Sequence, residues 1–204
     1  MTMNHGNLPE APHSGELNPA AQENSGAQEL IKLLRANTEK SKVTGKKELL
    51  KKLPGSLDRA ALLDLLSKTA NKQAPPELGD ISHVEGQKDT YYYDQTIMTV
   101  QYARLDALIQ DKDIMRTVAA VVRSDSKLYP RVTPFKKLTG MPFWCTEDEL
   151  LGVAARMKLD EAYQDIRMIS ASNGVRGFFS LESLSETYAQ SLFEMEEVFI
   201  PDNP

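Results

Sequence analysis

Apolar and polar positions change period sharply near the end of the chain. The apolar-rich runs 166–171 and 175–181 flank Asn173-Gly174, two residues that tolerate positive φ, and this predicts a β-hairpin closed by a two-residue turn. Such a turn sets Met168 opposite Phe179, Ile166 opposite Leu181 and Ile169 opposite Phe178. Just beyond, Ser183 with Glu186 reads as a capping box, and Leu184, Tyr188, Leu192, Met195 and Phe199 recur at helical spacing. Upstream, Thr146 with Glu149 opens another helix, whose Leu150, Leu151, Ala154 and Met157 face inward. Met98, Tyr102, Leu105 and Ile109 share one helical face. After Asp111 or Asp113 as cap, Ile114, Met115, Val118, Val121 and Val122 form a second, so two packed helices are expected. Over 131–138, Thr133-Pro134 fits a helix start and, nearly as well, an extended segment, and both remain open.

Helix, hairpin, helix is the order of a winged-helix domain. The expected class is therefore α/β (α+β): a small winged-helix-like domain over 90–200, mostly helical with one hairpin, starting at Tyr91-Tyr92-Tyr93. Leucine clusters at 30–34, 49–53 and 57–66 predict three short helices in a basic extension over 27–72, with Pro54-Gly55 separating the last two. Ala74-Pro75-Pro76, Gly79-Asp80 and Gly86 interrupt any periodicity and mark 73–89 as a linker. Residues 1–26 carry almost no large apolar side chains, which cannot offset the entropy of ordering, and read as a disordered tail. No internal repeat is apparent.

Charge divides the chain. Residues 29–75 hold 11 Lys or Arg against 5 Asp or Glu, a net of +6, whereas 89–204 hold 12 against 18, a net of −6. The arm could seek an acidic partner, the acidic half included, or simply wet the faces of short helices. At 204 residues and 41% hydrophobic, the chain can bury a core without metals or disulfides. One cysteine, Cys145, allows no internal disulfide and no cysteine-ligated cluster, and His5, His13 and His83 are scattered, so no cofactor or metal is expected. No apolar run approaches the length of a membrane span and no secretory core is present, so no membrane insertion is expected and a cytoplasmic location follows.

Few residues carry chemistry. Cys145 precedes a helix start that favours thiolate, but Glu147, Asp148 and Glu149 oppose it, and packing beside Phe143 and Trp144 is the plainer role. The three carboxylates fit the positive end of the helix dipole better than a cation site, and no glycine precedes a Lys-Ser or Lys-Thr pair as a phosphate loop requires. Arg123, Lys127, Arg131, Lys136 and Lys137 form a basic group around Tyr129 that lacks a basic reading helix. Of Tyr91-Tyr92-Tyr93, some side chains anchor the fold and the remainder are free for a partner.

Tyr91-Tyr92-Tyr93-Asp94, Tyr129-Pro130-Arg131, 163–166 (Tyr-Gln-Asp-Ile), 172–176 (Ser-Asn-Gly-Val-Arg) and 188–192 (Tyr-Ala-Gln-Ser-Leu) resemble motifs of the YdhW-type family of oxidoreductase-system proteins over about 90–198. The resemblance implies a bacterial cytoplasmic accessory protein, encoded with an aldehyde oxidoreductase-like enzyme and ferredoxin-like carriers. It carries over no catalytic residue. The expected function is thus a non-catalytic protein-interaction or assembly factor, with a redox enzyme or ferredoxin-like subunit as partner, no catalytic or cofactor-binding residue, and Tyr92, Tyr129, Arg131, Asn173 and Arg176 as the partner-contacting candidates. The alternative is a winged-helix DNA-binding transcriptional regulator using the basic arm and the hairpin tip. A third is a thiol-dependent enzyme using Cys145.

Overall fold

The computed structural model describes residues 19–53, 57–71, 73 and 75–200, with side chains from residue 25 onward. Two runs of elements succeed each other in the same order. The first comprises α1 (Pro19–Glu39), β1 (Thr44–Gly45), α2 (Lys46–Lys51), α3 (Arg59–Ala70), a 3-10 turn (Pro76–Leu78), β2 (Ile81–Glu85), β3 (Thr90–Asp94) and α4 (Val100–Gln110). The second comprises α5 (Ile114–Leu128), β4 (Thr133–Pro134), α6 (Phe135–Thr139), α7 (Glu147–Met157), a 3-10 turn (Glu161–Tyr163), β5 (Ile166–Ser170), β6 (Arg176–Ser180) and α8 (Glu186–Glu194), closed by a π-helical turn over Met195–Phe199. Each run builds a three-stranded antiparallel sheet, β1-β3-β2 or β4-β6-β5, with the second hairpin strand in the centre. The class is α+β, and each run is compatible with winged-helix topology.

The repetition extends to side chains. Thr44 pairs with Tyr92 as Thr133 pairs with Phe178. In the first unit Asn37 Nδ2 donates to Thr44 Oγ1 at 3.0 Å, and the Asp94 N–H donates to Thr38 Oγ1 at 3.2 Å. In the second, Thr133 Oγ1 donates to Asp125 at 2.9 Å, and the Ser180 N–H donates to Ser126 Oγ at 3.1 Å. Asp58, Thr99, Thr146 and Ser185 cap the matching helices by accepting a backbone N–H three residues on, which supplies an orphan donor of each first turn. The chain therefore does contain an internal repeat. It escaped notice in the sequence because its markers are isolated polar residues and not a shared apolar period.

Both faces of each hairpin are covered. In the first unit Leu30, Leu34, Leu49, Leu62, Leu66 and Tyr92 pack on one face, while Val43, Val84, Tyr91, Tyr93, Ala103 and Ala107 pack on the other beneath α4. In the second, Val118, Val122, Leu138, Leu150, Val153 and Phe178 form the inner core, and Ile169, Phe179, Leu184, Ala189 and Phe193 the outer one beneath α8. The units meet where α4 runs into α5, with Leu105 and Ile114 packed against the second inner core.

Several expectations change. The three helices of 27–72 form as α1, α2 and α3, but the supposed linker 73–89 contains β2, and the Tyr91-Tyr92-Tyr93 run is the central strand of a sheet. Gly and Pro there mark turns inside a unit. Of the tail, 19–26 is the start of α1, while 1–18, like Pro54-Gly55, lies outside the described residues. The hairpin register is shifted by one: Met168 faces Phe178, Arg167 faces Phe179 and Ile169 faces Gly177. Within this turn Gly174 alone, at φ +86°, takes positive φ, so the loop is three residues, with the Gly174 N–H donating to Ala171 O at 2.9 Å and Ala171 N–H to Val175 O at 2.8 Å. The last helix is capped by Ser185 and not Ser183, because Ser183 and Leu184 turn back to hydrogen-bond Ser180 O. Ala189 and Phe193 are consequently buried, and Tyr188 and Phe199 are exposed. Over 131–138 both readings hold in part, a short strand followed by α6.

Candidate functional site

The capping box at Thr146 and Glu149 is formed, Glu149 accepting from the Thr146 N–H at 2.8 Å while Thr146 Oγ1 accepts from the Glu149 N–H at 3.2 Å. That backbone donor, with the Thr146 hydroxyl, holds the Glu149 carboxyl below its usual range. Leu150, Val153, Ala154 and Met157 then bury one face of α7 and leave Glu147 and Asp148 in solvent. In a winged helix this would be the reading helix, and its first turn is negative.

The second hairpin rises beside it. Asn173, Gly174 and Arg176 share a hollow of about 610 Å³ with Lys136, Glu147 and Glu197. Neither polar tip residue hangs free: Asn173 Nδ2 donates to Glu197 O at 2.9 Å, and Arg176 approaches Glu147 at 4.0 Å. Ser172 is tied to Glu194 through both its hydroxyl and its N–H, the latter at 2.9 Å. The tip is thus bound to the end of α8. Tyr129 is 66% exposed, with the Arg131 guanidinium 5.6 Å from its ring centroid and 3.5 Å from Asp125. Of the five partner-contacting candidates, the structure groups Asn173 with Arg176 and Tyr129 with Arg131. Tyr92 is different: at 3% exposure it belongs to the core of the first unit, where burial and then Glu85 and Asp89 push its hydroxyl pKa up to about 12. Central strands bury both faces, so that candidate is withdrawn.

The basic group around Tyr129 is largely compensated. Lys137 lies 2.7 Å from Asp125, and Arg123 clasps Asp165 through two nitrogens at 2.6 and 3.0 Å while donating to Ala162 O at 2.7 Å. The Arg123 bond is the main cause of a lowered Asp165 pKa, against the opposing effect of burial. Arg123 and Asp165 thus join α5 to the base of the hairpin, a structural role that charge counting missed. An Asp immediately before an apolar strand in both repeats, Asp80 and Asp165, was the available signal.

Cys145 is buried, its pKa raised by burial and then by Glu149, which opposes thiolate chemistry. Among the described residues no group of three or more His, Cys, Asp and Glu is placed to hold a metal ion, and no helix is long and apolar enough to cross a membrane. Near the junction of the units, Met141 and Trp144 are 78% and 70% exposed, and a largely apolar hollow of about 760 Å³ lies between α4, α5 and Phe143.

These features define an α+β protein of two similar helix-and-hairpin units, with tied hairpin tips and an acidic helix start in the second. Residues 112–200, which begin two residues before α5, match the family model of the YdhW C-terminal domain, so this part of the chain is similar to that family. The chain is 31% identical over 128 residues to the Escherichia coli (strain K12) protein described as "Uncharacterized protein YdhW", a match covering 63% of this chain and 60% of that relative. The chain therefore spans less than two thirds of its relative's length. No solved structure matches.

Proposed function

We propose that the chain is a non-catalytic protein-interaction or assembly factor, accessory to a bacterial oxidoreductase system of the aldehyde oxidoreductase type. The observation that carries this reading is the acidic face presented by α7. Over 146–165, Arg156 and Lys158 stand against Glu147, Asp148, Glu149, Asp160, Glu161 and Asp165, a net of −4, or −3 once Asp165 is set against the Arg123 that clasps it, and phosphate contacts dominate duplex binding. The hairpin tip, tied to Glu194 and Glu197, weighs against its use as a DNA-holding wing. Buried Cys145 weighs against the thiol-enzyme alternative. The stacked Tyr129 and Arg131 pair and the Arg176 side of the hairpin provide an aromatic and arginine surface of the kind enriched at protein interfaces. The partner class is what the resemblance of the sequence motifs to the YdhW-type family implies.

Affinity capture with tagged full chain, followed by reconstitution with the purified partner, tests the reading. The expected result is an oxidoreductase or ferredoxin-like subunit whose binding weakens in Tyr129→Ala and Arg131→Ala. Salt-sensitive retention of DNA with no such subunit would favour the regulator.

A further inference from the structure

The tip of the first hairpin, residues 86–89, is folded against the connection between the units. Asp111, the residue following α4, is 1% exposed. Its carboxylate accepts from the Tyr91 hydroxyl at 2.7 Å and from the N–H groups of Gln87 at 2.6 Å and Lys88 at 3.3 Å, while the Lys88 ammonium donates to the Asp111 carbonyl. A Cβ at Gly86 would lie 2.6 Å from both Asp111 Oδ2 and Tyr91 Cε2, so only glycine permits this approach. The Gln87 amide, oriented to satisfy both neighbours, donates to Asp113 at 3.3 Å and accepts from the Arg116 guanidinium at 3.0 Å, both residues at the start of the second unit. From the opposite side, the Lys47 N–H donates to Asp89 at 2.8 Å and the Lys47 ammonium to Lys88 O. One tip thereby holds α2, β3, the end of α4 and the start of α5.

We propose that this tip is an orientation latch, with Asp111 as the positioning residue that sets the angle between the two units. A buried carboxylate is tolerated only while its donors are in place, and here two of the three come from the tip itself and the third from Tyr91 on β3. The hollow lined by Tyr102, Leu105, Val121 and Phe143 lies along the same α4 to α5 junction, so the latch also fixes its width. The second unit carries a weaker counterpart, Asn173 donating to Glu197 O, without a buried carboxylate. The inference is independent of which partner the second unit meets.

Spin labels at exposed Lys40→Cys and Lys158→Cys, in a full chain carrying Cys145→Ala, report the distance between the units by pulsed dipolar spectroscopy. With the latch intact, one narrow distance distribution is expected. Asp111→Asn should broaden or displace it, and Tyr91→Phe, which keeps the ring and removes only the hydroxyl bond, should do so to a smaller degree. Lys88→Met provides a third variant, at an exposed position, should Asp111→Asn fail to fold. Unchanged distributions in folded Tyr91→Phe and Lys88→Met would overturn the latch, whatever Asp111→Asn does.

Discussion

The two units meet one structural requirement, tying the first helix to the base of the hairpin, with the carboxylate on opposite strands. In the first, Arg35 on α1 reaches Asp94 at the end of β3 at 2.6 Å, with Asp80 before β2 a second, exposed acceptor at 3.1 Å. In the second, Arg123 on α5 reaches Asp165 before β5, and Ser180, at the place of Asp94, donates to that same carboxylate at 2.7 Å. The guanidinium kept its place while the buried charge crossed the hairpin. Such an exchange preserves geometry and erases sequence likeness, which explains how a repeat visible in three dimensions escapes an apolar-period search. The hairpin tips diverge further: the first locks the junction between units, and the second is bound to its own last helix.

The largest expected effect comes from breaking the carboxylates themselves. Asp94→Ala removes a fully buried acceptor of Arg35, Thr96 N–H and the Thr96 hydroxyl, and should cost roughly 3 kcal/mol. Asp165→Ala should cost less, roughly 2 kcal/mol, since some solvent reaches that side chain. Chemical denaturation of both variants checks the order, and an Asp165→Ala loss clearly exceeding that of Asp94→Ala would break the comparison.

Next comes the loop of the second hairpin. A side chain at Gly174 meets open space, yet at φ +86° a β-branched residue is strained, so Gly174→Val should cost about 2 kcal/mol by denaturant unfolding. Cys145→Ala deletes only a small buried group and should cost at most roughly 1–2 kcal/mol, leaving partner binding intact; loss of a native activity in the folded variant would restore the thiol-enzyme reading.

The remaining effects are small. Asp165 has a depressed folded pKa, so its contribution is complete above the unfolded value near about 4 and is lost as pH falls through the folded value. Melting temperature should therefore drop on the acid side of about pH 4, and Asp165→Asn should flatten part of that limb. Arg176→Ala, at an exposed strand start, should leave the melting temperature unchanged within about 0.5 kcal/mol of stability and weaken partner affinity only. Unchanged affinity would remove the hairpin from the interface.

Much of the second unit was legible because its signals are local. The capping box at Thr146, the Asp113 cap, the inward face of α5 and the existence of a hairpin all follow from residues a few positions apart. What escaped depends on distant partners. The hairpin register turned on whether Asn173 would also take positive φ, and a one-residue change in loop length moved Phe178 from the outer face to the inner core. Tyr92 looked available because three adjacent tyrosines suggest spare aromatics, but a strand between two partners, covered on both faces, leaves none. Asp111 read as one of two alternative helix caps, and nothing in its neighbourhood announced that a hairpin tip 24 residues upstream would enclose it.

The proposal that the two helix-and-hairpin units do not read DNA is tested most directly by fluorescence anisotropy of a labelled duplex titrated with the full chain at about 50 mM salt. The expected result is no saturable binding at submicromolar protein, even with the first unit's lysines present. A submicromolar Kd that weakens steeply between about 50 and 200 mM salt would contradict it.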